Sequence, residues 1–242
     1  MFKPISSQTK SQTHRPTQSP SQTVAEHALP LHAPRTASLL LAACIATLAW
    51  LALAAQTDIT VHRMLARGLS VFDGVERLSS YLTNLTVFAV ALCFSFVAAL
   101  GRSPLGRFFR KPPVVTAVVV YIVFVGLAYN LLLRHLWTPS GYRAVLNECL
   151  HTVIPVLSVI YWVLFVPRFH LTLRQCLLWL IYPLSYLCIT LWRGSMSDFY
   201  PYPFIDVGEL GYPHVLLNAT LLVLAFVTLM GVFIALNHRR PY

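Results

Sequence analysis

The stretch that decides the fold is VVTAVVVYIVFVGLAYNLLLRHLW, at residues 114–137. Its first twenty residues, from Val114 to Leu133, carry no charge. A helix rises about 1.5 Å per residue, so a run of this length matches the roughly 30 Å hydrocarbon core of a bilayer. The first charged residue, Arg134, comes only where such a helix would leave the lipid. This stretch therefore predicts a transmembrane helix.

Five further stretches have the same character, which predicts an all-α polytopic membrane protein built as a bundle of six transmembrane helices. The predicted spans are Ala37–Ala55, Ser79–Leu100, Val114–Trp137, Ala144–Val166, Gln175–Trp192 and Val215–Leu236. None of them alternates apolar and polar residues in the way of a β-barrel strand. The composition agrees, because only 11% of the 242 residues are charged, whereas a soluble domain carries about 25%.

The distribution of charge predicts the orientation. A net charge of +10 would suggest nucleic acid in a soluble protein, but positive cytoplasmic loops explain it better here, and no nucleic-acid partner is expected. With the amino terminus inside, twelve of the 18 Lys and Arg residues lie on the cytoplasmic side. Both termini are therefore expected in the cytoplasm.

Residues 1–35, rich in Ser, Thr, Gln and Pro, predict a disordered basic tail ahead of a transmembrane domain at 36–242.

Polar residues inside the spans collect toward the predicted outer side. Such groups are costly in lipid and are functional candidates by default. Thr83 and His151 are expected about 6 Å and 10 Å below the outer edge, each on a helix that enters from outside. The candidate substrate-binding residues on the same side are Asn130, Arg134, Tyr182, Arg193 and Asn218. Together they predict a polar pocket that opens toward the outer leaflet.

One helix face combines acid, imidazole and proline. Glu148, His151, Thr152 and Pro155 are spaced at offsets of 0, 3, 4 and 7 and so share that face. Glu148 could accept a proton from the imidazole, which would make His151 a better general base. The alternative is that His151 is a polar contact between helices. In that case Glu148 pairs with an arginine, for which the candidates are Arg134, Arg143 and Arg193.

Thr83 has two interpretations of the same kind. A threonine in a membrane helix usually hydrogen-bonds the carbonyl four residues before it, as Thr86 would do equally well. A catalytic role requires a base, because the free hydroxyl is a weak nucleophile. His151, at similar depth on another helix, is the candidate base.

The segment from Trp179 to Tyr212 contains a proline in a span and then an aromatic loop. Pro183 is expected to kink its helix, with a neighbouring group satisfying the carbonyl that it frees. The loop motif YPYPF at 200–204 predicts a cap packed at the outer membrane surface. The alternative is an ordinary belt of interfacial aromatic residues.

No cofactor and no metal are expected. His135, His151 and His214 all fall toward the outer side, but their spacing matches no zinc motif. The five cysteines lie in or beside apolar runs without a CxxC pair, and are interpreted as small core residues.

Four motifs together resemble the FAR-17a/androgen-induced family of multi-pass membrane proteins, most closely its bacterial six-helix branch. They are YLTNLTVF at 81–88, ECLHTVIPVL at 148–157, WLIYP at 179–183 and the YPYPF loop. Animal members of this family are threonine hydrolases that cleave fatty acid esters of hydroxy fatty acids. The resemblance implies Thr83 as nucleophile and His151 as base, in a bacterial plasma membrane.

Two functions therefore follow from the sequence. The first is an intramembrane lipid esterase in which Thr83, His151 and Glu148 are catalytic and the substrate is a lipid ester in the outer leaflet. The second is a lipid-binding, scaffold or transport protein without catalysis. In either case membrane lipid is the expected partner, and protein partners stay open.

Overall fold

The computed structural model describes residues 35–99, 103–136 and 138–239. The predicted tail lies outside the described residues except for Arg35, as do two span ends, Leu100 and Trp137. Within the described ranges, all regular structure is helical. The prediction of an all-α fold is confirmed there.

Eight helices follow one another along the described chain, and a short 3-10 helix, Pro203–Ile205, lies in the loop before the last of them. In order they are α1 (Arg35–Leu65), α2 (Val71–Ser79), α3 (Leu82–Ala98), α4 (Pro104–Phe109), α5 (Pro112–Leu133), α6 (Tyr142–Phe165), α7 (Leu173–Ser197) and α8 (Val207–Arg239). Five of these helices (α1, α5, α6, α7 and α8) are long and apolar enough to cross a membrane. Taken as one unit, α2 and α3 make a sixth such span, bent by 84°. The helices are thus compatible with an integral membrane protein.

The predicted spans fall on these helices, with two differences. The first helix runs to Leu65 rather than ending near Ala55. The second predicted span corresponds to α3, and α2 precedes it as a separate amphipathic helix. A capping box fixes the start of α2, because the Ser70 hydroxyl accepts the amide N–H of Asp73 while the Asp73 carboxylate accepts that of Ser70.

The core forms where α1, α3, α5 and α6 pack together. Alanines of α1, among them Ala42 and Ala49, are fully buried and let neighbouring helices approach closely. Some of the buried polar groups of this core are paired across helices. The Trp162 indole N–H, for example, donates to the Thr116 hydroxyl at 2.9 Å. By contrast, α7 buries only Cys176, Thr190 and Gly194, so space remains between α7 and the rest of the bundle.

Two prolines free carbonyl groups that side chains from a neighbouring helix then satisfy. Pro155 cannot donate to the carbonyl of His151, and the Asn130 side-chain amide donates to it instead, at 3.2 Å. Pro183 leaves the carbonyl of Trp179 without its helical partner, and the Tyr121 hydroxyl donates to it at 2.8 Å. The expected partner for the carbonyl that Pro183 frees is confirmed, whereas the kink stays a prediction.

Candidate active site

Thr83 and His151 meet between α3 and α6, as their matching depths predicted. Thr83 Oγ1 lies 3.4 Å from His151 Nε2. Thr83 stands in the first turn of α3 and is buried, with 8% of its surface exposed. His151 lies in a π-helical turn, Cys149–Val153, and such turns are frequent at functional sites. The predicted contact is confirmed, although contact alone does not assign a catalytic role.

The backbone of α6 fixes the orientation of the imidazole. His151 Nδ1 lies 3.0 Å from the carbonyl oxygen of Asn147, one turn earlier. A carbonyl only accepts, so this contact assigns the proton to Nδ1 and leaves Nε2 as the acceptor facing Thr83. A neutral imidazole with its free nitrogen against a hydroxyl is the arrangement that general-base catalysis requires.

The Tyr129 ring stacks on the face of the His151 imidazole, a contact that the sequence did not reveal. The two rings are stacked with centroids 3.8 Å apart and an interplanar angle of 19°. The Asn147 side-chain amide in turn donates to the Tyr129 hydroxyl at 2.7 Å. Tyr129 opens the π-helical turn Tyr129–Leu133 of α5. The role of Asn147 could have been found from the sequence. It lies four residues before His151 on the same helix, so its backbone carbonyl lies beside the imidazole ring.

Glu148 does not contact His151 in the way that the shared helix face suggested. Its carboxylate forms an ion pair with Arg134 and accepts the Thr152 hydroxyl at 2.9 Å. The spacing of three residues puts Glu148 and His151 on one face, but Arg134, directly after α5, is the stronger partner for the acid. The backbone carbonyl of Asn147 takes the position expected for the carboxylate.

The five candidate substrate-binding residues are occupied with structural contacts. Asn130 bonds the carbonyls of α5 and α6 and, through its side-chain oxygen, Arg134. Tyr182 bonds the Thr86 hydroxyl at 2.9 Å, and Arg193 pairs with Glu76 at 2.6 Å. Asn218 donates to the carbonyl of Phe204 at 2.9 Å. None of the five lines the pocket beside Thr83.

That pocket is mostly apolar rather than polar, which corrects the expectation for its lining. It lies between α3, α5, α7, α8 and the loop after α7, and encloses about 780 Å³, open mouth included. Its hydroxyl-bearing residues are Thr83, Tyr129, Tyr186 and Tyr202, and the remainder include Phe124, Leu180, Leu184, Leu222 and Phe226. Thr83 lies at the pocket wall, whereas His151 lies behind it.

The aromatic loop closes the same end of the pocket. Tyr202 packs edge-on against Tyr81, with ring centroids 5.8 Å apart. Burial raises the pKa of the Tyr202 phenol, and hydrogen bonding to the side chain and backbone of Thr83 partly opposes that rise. The Tyr200 ring lies so close to Gly194 that a Cβ there would sit 2.1 Å from a ring carbon. The loop is therefore packed on the bundle beside Thr83.

In the described ranges, no three His, Cys, Asp or Glu side chains are grouped so that they could hold a metal ion. All five cysteines there are free thiols, but Cys44 and Cys188 are exposed rather than core residues.

Comparison of the chain with family models, curated proteins and solved structures found no match.

Proposed function

We propose that this protein is an intramembrane threonine hydrolase that cleaves lipid esters, as a bacterial member of the FAR-17a/androgen-induced family. The observation that carries the proposal is the row of three groups Thr83, His151 and the Asn147 carbonyl, with contacts of 3.4 Å and 3.0 Å. Nucleophile, base and orienting acceptor follow one another as in other activated-hydroxyl enzymes. The contact of 3.4 Å is long, which is common before substrate binds.

In the first half-reaction, the Thr83 oxygen forms a bond to the ester carbonyl carbon while its proton moves to His151 Nε2. The tetrahedral oxyanion then collapses, the bond to the leaving alcohol breaks, and His151 returns the proton to that alcohol. In the second half-reaction, a water gives its proton to His151 and attacks the acyl-threonine. The bond between the acyl carbon and Thr83 Oγ1 then breaks, His151 returns its proton to Thr83, and the acid is released.

The oxyanion is assigned to Tyr202 and to the amino end of α3. The Tyr202 phenol lines the pocket beside Thr83 and can donate to the developing negative charge. Thr83 lies in the first turn of α3, where the helix dipole favours an anion. Fixed donors of this kind typically supply a large part of the rate enhancement of acyl transfer.

The apolar pocket fits an acyl chain. Its lining is mostly apolar and contains no charged side chain to pair with a headgroup, whereas a hydrocarbon chain needs no such partner. With the chain in this pocket, the ester carbonyl would lie at the wall formed by Thr83. Lipid esters of fatty acids, including those of hydroxy fatty acids, are the substrate class.

For the membrane, we infer six spans with both termini in the cytoplasm of a bacterial cell, with α3 as the second span and α2 lying before it at the bilayer surface. This orientation places Thr83 in the outer half of the bilayer. It follows the excess of Lys and Arg in the predicted inner segments. A reporter fused after Tyr242 should be active only inside, and activity only outside would contradict the topology.

A fluorophosphonate probe on the purified full chain tests the chemistry. We expect a covalent label on Thr83, located by mass spectrometry, that Thr83→Ala abolishes. Thr86→Ala is the matched control, because Thr86 lies one turn away, is buried, and bonds Tyr182 rather than His151. If wild-type protein takes no label and hydrolyses no lipid ester, the lipid-binding, scaffold or transport function replaces the hydrolase.

A further inference from the structure

A second cleft lies at the same end of the bundle, between α2, α7 and the loop after α7. Unlike the pocket beside Thr83, it is lined by charged side chains. Asp73, Glu76 and Arg77 come from one face of α2, and Arg193 comes from α7. The four charges sum to zero, but only Glu76 and Arg193 form an ion pair with each other.

Arg77 is the group that points to a ligand. Its guanidinium carbon lies 3.5 Å from the centroid of the Phe199 ring, which holds the side chain in place. In the described part of the chain, no carboxylate lies within ion-pair distance of it. The neighbouring Arg193 is instead paired with Glu76 at 2.6 Å. Arg77 is thus a positioned cation whose N–H donors have no anionic partner.

Apolar surface flanks the cleft. The face of α2 next to its charged face exposes Val71, Phe72 and Val75. On α7, Trp192 and Met196 are exposed next to Arg193. Because α2 is bent by 84° from α3, a membrane-crossing α3 lays α2 along the bilayer surface. An amphipathic helix in that position, with an aromatic side chain beside it, is typical of the lipid headgroup region.

We propose that this cleft binds the headgroup of a zwitterionic phospholipid that carries a primary amine. The phosphate would be bound by Arg77, and the ammonium group by the carboxylates of Asp73 and Glu76. A headgroup with one anion and one cation matches the mixed charges of the cleft in sign, and its acyl chains would follow the exposed apolar faces. The inference does not depend on the threonine chemistry.

Native mass spectrometry of the detergent-purified full chain tests this, with headgroup chemistry as the variable. Phosphatidylethanolamine, phosphatidylglycerol and diacylglycerol with identical acyl chains are titrated separately. Phosphatidylethanolamine carries a phosphate and an amine, phosphatidylglycerol carries a phosphate without an amine, and diacylglycerol carries neither group. We expect the affinity to fall in that order, with about tenfold or more lost on removal of the phosphate. Equal binding of phosphatidylethanolamine and phosphatidylglycerol would overturn the zwitterion assignment, and equal binding of diacylglycerol would overturn the site.

Variants then place the lipid in the cleft. Arg77→Gln should weaken phosphatidylethanolamine binding about tenfold or more, because it removes the charge-assisted bond to phosphate. Arg77→Lys should retain most of the binding, which separates loss of charge from loss of fold. The matched control is Arg143→Gln, which removes an exposed arginine outside the cleft. Unchanged binding by Arg77→Gln would overturn the assignment.

A competition experiment distinguishes a lipid headgroup from a soluble phosphoester as the ligand. Soluble O-phosphoethanolamine has the same charges without acyl chains, and it should displace the lipid only at far higher concentration. If it binds as tightly as the lipid, the ligand is a soluble phosphoester and the lipid assignment is wrong. Thr83→Ala should bind phosphatidylethanolamine as tightly as the wild type. The headgroup assignment can therefore hold even if the hydrolase proposal is wrong.

Discussion

His151 is stacked on Tyr129, with ring centroids 3.8 Å apart, so a neighbouring helix constrains the plane of the imidazole in addition to the hydrogen bond within its own helix. The Asn147 side chain donates to the Tyr129 hydroxyl at 2.7 Å, while the Asn147 carbonyl contacts His151 Nδ1 at 3.0 Å. One residue therefore fixes both rings. Two rings and two hydrogen bonds leave His151 little freedom other than to present Nε2 to Thr83.

His151→Ala should abolish ester hydrolysis while the protein stays folded. Loss of a positioned general base typically costs about 10²–10⁴-fold in rate. Loss of one hydrogen bond between membrane helices costs only about 0.6–2 kcal/mol of stability. Initial rates per folded molecule, with thermal unfolding in detergent as the control, separate the two effects. A loss of rate that merely tracks the folded fraction would assign His151 a structural role.

Glu148→Gln should be far milder than His151→Ala. The carboxylate is paired with Arg134, and both side chains are nearly half exposed, so the pair is worth at most about 1 kcal/mol. We expect a small decrease in melting temperature that is larger at low salt than at high salt, with hydrolysis changed by less than about tenfold. A loss of rate as large as that of His151→Ala would restore Glu148 as the group that orients the base.

The sequence was sufficient to locate the long apolar helices and to place Thr83 and His151 at similar depths, because both follow from local properties. A charge-free run defines a span, and the distance from its end defines a depth. The partner of Glu148 could not be predicted in this way. Spacing along α6 places Glu148 and His151 on one face, but Arg134 arrives from α5 and the choice depends on how the two helices pack. The stacking of Tyr129 on His151 depends on the same packing and was missed for the same reason.

Gly126→Ala should damage the site through the helix contact. A Cβ at Gly126 would lie 2.8 Å from the carbonyl oxygen of His151 and 3.1 Å from Pro155 Cγ. The resulting overpacking should cost about 1–3 kcal/mol, measured by thermal unfolding, and should lower the rate by displacing the base. Gly231→Ala is the control, because its Cβ would meet nothing within 4 Å. We expect it to change stability by no more than about 0.5 kcal/mol. Equal effects of the two substitutions would show that the contact at Gly126 is unimportant.

Tyr202→Phe tests the oxyanion assignment. The substitution removes the hydroxyl beside Thr83 and keeps the ring that packs on Tyr81. Removing one oxyanion donor typically lowers kcat by about 10²–10³-fold, and KM should change little because the donor acts mainly in the transition state. Tyr142→Phe, at an exposed tyrosine, should leave both constants unchanged. An unaffected kcat in Tyr202→Phe would remove Tyr202 from the mechanism.

The same substitution should change how stability responds to alkali. Burial raises the pKa of the Tyr202 phenol above its ordinary value of 10.0, so above that pH the unfolded chain loses this proton while the folded chain keeps it. The unfolded state then binds fewer protons, and the free energy of unfolding falls as the pH rises from 10.0 toward the pKa of the folded state. Tyr202→Phe cannot make this contribution, so its melting temperature should fall less steeply over that range than that of the wild type. Melting curves at pH values on both sides of 10.0 measure the difference, with Tyr142→Phe as the control. Identical slopes for wild type and Tyr202→Phe would mean that the Tyr202 phenol titrates alike in the folded and unfolded chain, and so is not held in the buried contact with Thr83.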